Sequence, residues 1–126
     1  MSETHGSAGA GLQKLAGRTY YIIFWEPTQA DGDRSLLRPR HIDYILSLEA
    51  DGRLFGAGPF LDENGKSYGR GMFILRAGSA EEAREIAHGD PFYVAGFRTY
   101  RIEPWRRGEG SINLRISIGA NQVVLD

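Results

Sequence analysis

Cysteine is absent from this sequence of 126 residues. Its absence excludes a disulfide framework, a zinc site held by thiolates and a cysteine nucleophile, and it suits a reducing compartment. A strong charge of one sign is also missing, because 15 basic and 16 acidic residues leave a net charge of −1. Proteins that hold nucleic acid by bulk electrostatics carry a basic excess, so we expect no nucleic-acid partner.

Long apolar runs are missing as well. No stretch approaches the roughly 20 apolar residues of a membrane-spanning helix, and the chain does not start like a secretory signal. We therefore expect a cytoplasmic protein without a membrane partner. Hydrophobic residues make up 41% of the chain, which is enough for one folded core. We expect an N-terminal tail over residues 1–18, one α+β domain over 19–107 and a C-terminal extension over 108–126.

The residue patterns of the central region predict four strands and two helices. β-Branched and aromatic runs bounded by turn residues predict strands over 19–25, 54–60, 69–76 and 99–105. Apolar periodicity after Pro39 predicts a helix over 39–50, and a capping box formed by Ser79 and Glu82 predicts another helix that ends near residue 88. The order β-α-β-β-α-β is that of the ferredoxin-like split βαβ fold, in which both helices cover one face of an antiparallel sheet.

Both faces of the first and third strands are apolar. The two helices cover only one face of the sheet, and a monomer rarely exposes a large apolar patch. We therefore expect a homodimer packed sheet on sheet. The C-terminal extension alternates apolar and polar residues, which predicts a fifth strand that packs through Ile112, Leu114 and Ile116. That strand either pairs at a sheet edge or reaches the partner.

The glycine-rich and acidic turns do not match known ligand-binding loops. Gly56 and Gly58 follow a strand, but Pro59 removes a backbone donor and no helix begins there, so a dinucleotide site is rejected. Residues 62–65 lack the spacing of a calcium loop, and the three histidines lack the spacing of metal ligands. We therefore expect neither a metal nor a cofactor.

His41 and Asp90 are the candidates for chemistry. On a helical wheel His41 lies on the apolar face with Ile45 and Leu48, so its imidazole points toward the sheet. Two interpretations stay open: a buried histidine that hydrogen-bonds a backbone carbonyl, or a general acid or base that exchanges protons near neutral pH. Asp90 precedes Pro91 and is expected to cap a helix, a role compatible with a contact to the histidine.

Several short motifs, spread over residues 19–105, resemble the YCII-related (YciI-like) family. They are Arg38-Pro39-Arg40-His41, Gly58-Pro59-Phe60, Asp90-Pro91-Phe92 and Pro104-Trp105. The resemblance implies a ferredoxin-like, dimeric α+β barrel. It also implies an active site built on a His-Asp pair, which corresponds here to His41 and Asp90.

These observations lead us to expect an enzyme that works without a cofactor. Its His-Asp pair would transfer protons in an elimination, dehydrochlorination or isomerisation of a small cyclic or aromatic metabolite. Tyr44, Gly58 and Phe92 are expected to bind the substrate. One alternative is a non-catalytic dimeric module that binds a small molecule or a protein. Another is a haem-binding or oxygenase protein of the same barrel architecture, with His41 as the axial ligand.

Overall fold

The computed structural model describes residues 17–125. Its strands are β1 (Thr19–Pro27), β2 (Leu54–Leu61), β3 (Ser67–Leu75), β4 (Arg98–Arg106), β5 (Leu114–Ser117) and β6 (Gln122–Leu125). Its helices are α1 (Arg38–Ala50), α2 (Ala80–His88) and α3 (Pro91–Val94). By its internal contacts the chain divides into two compact units, Thr19–Arg106 and a flanking unit of which residues 17–18 and 107–125 are described. The expected N-terminal tail over residues 1–18 lies almost entirely outside the described residues.

The unit Thr19–Arg106 is built on one antiparallel sheet with the strand order β2-β3-β1-β4. This order and the chain sequence β1-α1-β2-β3-α2-β4 confirm the predicted ferredoxin-like α+β fold. The short helix α3 begins directly after Asp90, where the sequence predicts a helix cap but gives no bounds for the helix. It forms because Pro91 sets the helical φ in the first turn and the Asp90 side chain caps the free backbone amides.

The core lies between one face of the sheet and the helices. In β1 this face carries Ile23 and Trp25, whose ladder partners in β3 and β4 point the same way. Helix α1 contributes Leu48, which is fully buried, and α2 contributes Ala83 and Ile86. Helix α2 begins as predicted, because the Ser79 hydroxyl accepts a hydrogen bond from the Glu82 amide at 3.1 Å.

The opposite face of the sheet is also apolar. Ile22 faces Ile74 across the β1–β3 ladder, and Phe24 faces Met72. These four side chains are only half-buried in the single chain. Phe24 lies under the guanidinium of Arg101, 4.1 Å from its ring centroid. The apolar second face predicted from the alternation of β1 and β3 is therefore present.

The flanking unit contains the predicted C-terminal strand, but as half of a hairpin. Strand β5 pairs antiparallel with β6. The turn between them places Asn121 in the left-handed region, at φ 53°. The expectation that Ile112, Leu114 and Ile116 are packed is wrong within the chain, because their side chains are 57%, 57% and 65% exposed. The alternation was sufficient to predict a strand, but it did not show whether the apolar side would be covered.

Over residues 17–125 no helix combines the length and the apolar character needed to cross a membrane.

Candidate functional site

His41 lies in the first turns of α1 and points toward the sheet. Its side chain is 13% exposed. The imidazole packs between two aromatic rings, with ring centroids 4.7 Å from Phe92 and 6.4 Å from Phe73. The predicted inward orientation follows from the helical periodicity that also buries Leu48 on the same face.

Asp90 is a charged side chain with 0% exposure. Its Oδ1 accepts hydrogen bonds from the amides of Phe92 at 2.8 Å and Tyr93 at 3.3 Å, which confirms the predicted helix cap. Its Oδ2 lies 2.8 Å from Nδ1 of His41. A buried carboxylate needs such partners, because its desolvation is otherwise costly. The structure thus brings together His41 and Asp90, which are 49 positions apart in the chain.

The contact with Asp90 determines which nitrogen of His41 carries the proton. An ionised carboxylate only accepts hydrogen bonds, so Nδ1 donates to Asp90. In the neutral ring Nε2 then keeps its lone pair. No hydrogen-bond partner of Nε2 occurs among the described residues. In this tautomer Nε2 is the nitrogen of the pair that has a free lone pair.

A cavity of about 600 Å³ lies beside the imidazole. Its walls are formed by α1, the β2–β3 hairpin, the start of β4 and the loop that precedes α1. This volume is typical of small-molecule sites. In the part of the chain that the structure describes, no three His, Cys, Asp or Glu side chains come together in a way that could hold a metal ion.

Two of the three predicted substrate-binding residues line this cavity. They are Gly58 and Phe92. A side chain at Gly58 would find no heavy atom within 4 Å of its Cβ, so the glycine leaves open space at the cavity wall.

Tyr44 does not lie where we expected it, because it is not part of the cavity wall. Its hydroxyl donates a hydrogen bond of 2.6 Å to the Ile86 carbonyl, and its ring fills the space beside Gly89. Burial raises the pKa of the Tyr44 hydroxyl. A helical wheel places Tyr44 on the inward face of α1. It does not show that the Tyr44 side chain contacts α2 and not the β2–β3 hairpin beside the cavity.

Comparison with known proteins places this chain in a family. The family model described as "YCII-related domain" matches residues 19–106. The chain belongs to the YCII-related family. It is 36% identical to the uncharacterized protein YjpA of Bacillus subtilis (strain 168) over 66 residues, which are 52% of this chain and 72% of YjpA.

A solved structure shares the fold of this YCII-related chain. It is the 5-chloro-2-hydroxyhydroquinone dehydrochlorinase TftG from Burkholderia phenoliruptrix AC1100, in complex with 2,5-dihydroxybenzoquinone. The TM-score is 0.58 and the sequence identity is 24%, over 71% of this chain and 95% of the other. At this identity the likeness shows the fold, which is that of the α+β domain predicted from the sequence.

The sequence reasoning missed the arginines of the cavity. The wall contains Arg34, Arg38, Arg70 and Arg98, and it contains no Asp or Glu among the described residues. A signal for one of them was available in β4. Tyr100 and Ile102 face the helices, so Arg98 has the same parity and also faces inward.

Arg98 lies on aromatic rings at the cavity wall. Its guanidinium carbon is 4.9 Å from the ring centroid of Phe92 and 5.1 Å from that of Trp25. Burial lowers the pKa of Arg98, the Asp90 carboxylate raises it and the nearby Arg34 lowers it further. The side chain is therefore a desolvated cation that aromatic faces hold in place.

Trp25, also in the cavity wall, has an unpaired donor. Its side chain is 1% exposed, and its indole N–H finds no acceptor among the described residues. A buried donor without a partner costs about 1–3 kcal/mol, so such groups are uncommon in folded proteins.

Proposed function

We propose that this protein is a cofactor-independent enzyme that transfers a proton on a small cyclic or aromatic metabolite, with His41 and Asp90 as its catalytic pair. The observation that carries the proposal is the fully buried Asp90 carboxylate, 2.8 Å from Nδ1 of a histidine that lines a cavity of about 600 Å³. A buried ionisable pair in a cleft of this size is a typical acid-base site.

The chemistry follows from the tautomer. Nε2 of His41 accepts a proton from a C–H or O–H group of the substrate, while Asp90 keeps Nδ1 protonated and the ring oriented. In an elimination, the electron pair of the broken bond forms a new double bond, and the leaving group departs with its own pair. In an isomerisation, the proton returns to a different atom. Neither reaction requires a redox cofactor.

The substrate class is supported by the solved structure of the same fold. Its protein is named as a dehydrochlorinase of a chlorinated hydroxyhydroquinone, and its ligand is a planar hydroxylated quinone. For the present chain we propose substrates of the same general shape, bound against Gly58 and Phe92. Gly58 supports this because it leaves the backbone of β2 open to a flat ring.

We further propose that the enzyme is a homodimer. The half-buried apolar face around Ile22, Phe24, Met72 and Ile74 supports packing of this sheet on the sheet of a second copy. Sedimentation at micromolar concentration is expected to give twice the mass of one chain. A single-chain species alone would contradict the dimer. We expect a cytoplasmic location, since a cysteine-free chain needs no oxidising compartment.

The test of the catalytic proposal is a turnover screen of lactones and halogenated hydroquinones, with wild type beside His41→Ala. Once a substrate is found, we expect His41→Ala and Asp90→Asn each to lower kcat at least about 100-fold. The double variant is expected to be little worse than the worse single variant, because the two residues act as a unit.

The controls separate catalysis from folding. Asn is itself a good helix cap, so Asp90→Asn is expected to stay folded with a loss of roughly 1 kcal/mol or less. A folded His41→Ala dimer with unchanged turnover would refute the catalytic role. The cavity would then be better explained by the binding-module alternative.

A further inference from the structure

The cavity differs in charge from the chain as a whole. The whole chain has a net charge of −1, whereas the cavity wall carries four arginines and no acidic residue among those described. Arg70 is neutralised by Glu26, whose Oε2 lies 2.6 Å from its Nε. Asp90 faces His41 and the α3 amides. The wall thus has more positive charge than its own ion pairs balance.

Arg34, Arg38 and Arg98 carry this excess; Arg38 is exposed, so Arg34 and Arg98 are the two that lie partly out of solvent. Neither guanidinium has a carboxylate within 4.0 Å in residues 17–125. Both are half-buried, and the two lie close enough that the charge of Arg34 lowers the pKa of Arg98. Two like charges brought together repel each other, and the Asp90 carboxylate, whose charge raises the pKa of Arg98, is already bonded to His41 and the α3 amides. An anion between them would remove that cost and would gain charge-assisted hydrogen bonds.

Both arginines are held in position by aromatic and loop contacts. The guanidinium carbon of Arg98 lies 4.9 Å from the Phe92 ring centroid, and that of Arg34 lies 4.8 Å from the Phe97 centroid. The turn that carries Arg34 is closed by Asp33, whose Oδ1 accepts from the Ser35 amide at 2.9 Å. The two cations are thus fixed before any ligand arrives, which lowers the entropic cost of binding.

The same wall contains a second kind of group that only donates hydrogen bonds. The indole N–H of Trp25 is buried in the same wall and has no acceptor among the described residues. Indole is a donor only, so it pairs only with an oxygen or another acceptor. Arg98, stacked on the Trp25 ring, also only donates.

We infer that the cavity selects planar ring compounds carrying a negative charge, a carboxylate or an ionised ring hydroxyl, with Arg98 and Arg34 as the residues that bind the anionic oxygens. The inference rests on the proposed function, because it assigns a charge to the substrate of the same site. The aromatic side chains Phe73 and Phe92 supply the flat apolar surface for the ring. His41 would then act on the bound ring beside its anionic group.

The experiment is a binding titration of the full-length protein with a matched pair of probes, 2,5-dihydroxybenzoate and its uncharged methyl ester. We expect the acid to bind wild type at least about tenfold more tightly than the ester, and this preference to shrink at high salt. Arg98→Gln and Arg34→Gln are each expected to weaken binding of the acid about tenfold or more, and to change binding of the ester less than about twofold.

Two further variants serve as references. Arg98→Lys keeps the charge but loses the planar fork, so its affinity for the acid is expected to lie between those of wild type and Arg98→Gln. Arg84→Gln removes an exposed arginine outside the cavity and is expected to bind both probes like wild type. Thermal unfolding checks that each variant is folded. If Arg98→Gln does not fold, Arg34→Gln still tests the inference, because Arg34 lies in a loop.

The outcomes distinguish this inference from the catalytic proposal. Equal binding of acid and ester, or an acid affinity unchanged in both glutamine variants, would overturn the anionic class whatever the turnover screen shows. Binding is expected to persist in His41→Ala, because that variant keeps both arginines. If binding depends on charge but His41→Ala keeps its turnover, this inference is supported and only the catalytic role of His41 is contradicted.

Discussion

His41 and His88 are both held by one ring nitrogen, but their surroundings differ. His41 contacts the fully buried Asp90 and lines the cavity. His88 is exposed at the end of α2, its Nε2 lies 2.8 Å from the Tyr100 hydroxyl, and its ring stacks on Tyr93 with centroids 4.9 Å apart. Of these two histidines, only His41 contacts a buried carboxylate and lines a cavity.

The comparison shows that a hydrogen-bonded histidine is not by itself enough to form a site. The chemical type of its partner also matters. A phenol hydroxyl can donate or accept, so Tyr100 does not impose one tautomer on His88. A carboxylate can only accept, so Asp90 does impose one on His41. The chain His88-Gly89-Asp90 joins the two regions directly, which makes matched variants on either side of Gly89 informative.

The largest expected contrast is in turnover. His41→Ala is expected to lower kcat at least about 100-fold, the usual scale for a positioned acid or base, whereas His88→Ala is expected to change kcat less than about twofold. Steady-state kinetics on a substrate from the screen measures both. A large loss in His88→Ala with an unchanged fold would break the comparison.

The next contrast is in stability. Asp90→Ala removes the α3 cap and leaves two amides and His41 Nδ1 without their acceptor, so we expect a loss of about 2–4 kcal/mol in the free energy of unfolding. Tyr100→Phe removes one exposed hydrogen bond and is expected to cost less than about 1 kcal/mol. Urea denaturation compares them, and equal losses would contradict the structural difference between the two regions.

Gly89 gives a smaller and more local effect. Its φ of −87° suits any residue, but a Cβ there would overlap the hydroxyl and ring of Tyr44. We expect Gly89→Ala to cost about 1–3 kcal/mol as overpacking, measured by denaturation. The cost is expected to fall in a Tyr44→Leu background. Gly119→Ala, where a Cβ meets nothing within 4 Å, is the control and is expected to change little.

The smallest effect concerns stability at high pH. Burial raises the pKa of Tyr44 and of Tyr100, so each favours the folded state fully below the ordinary tyrosine pKa of about 10. This contribution is lost as the pH rises from about 10 through the higher folded-state values. We expect Tyr44→Phe and Tyr100→Phe each to flatten the fall of the unfolding free energy above about pH 10. An unchanged slope in both variants would contradict the assigned burial.

Local sequence patterns predict most of the fold. The apolar run of β1, the Ser79 capping box and the turn between β2 and β3 each act within a few residues, so the sequence alone predicts them. The sequence predicts one strand where the C-terminal unit has a hairpin, because Asn121 forms a left-handed turn and the residues after it show no alternation strong enough to mark β6.

The sequence predicts less of the site, because the residues that meet there are far apart in the chain. Helical periodicity turned His41 inward and the Asp-Pro step identified Asp90 as a cap, but nothing local links two residues 49 positions apart. Their pairing is expected from the family resemblance and from the topology, which puts both helices on the same face of the sheet. Strand parity places Arg98 on the core side of β4, but parity alone does not show that a charged residue there lines a cavity.

The most direct test of the account is the tautomer of His41, measured by ¹⁵N NMR of the imidazole at a pH where the ring is neutral. We expect a proton on Nδ1, hydrogen-bonded to Asp90, and an unprotonated Nε2. His88, whose partner is a phenol, provides the reference signal in the same spectrum. A proton on Nε2 of His41 with a bare Nδ1 would contradict the account, because the atom assigned to accept the substrate's proton would already be occupied.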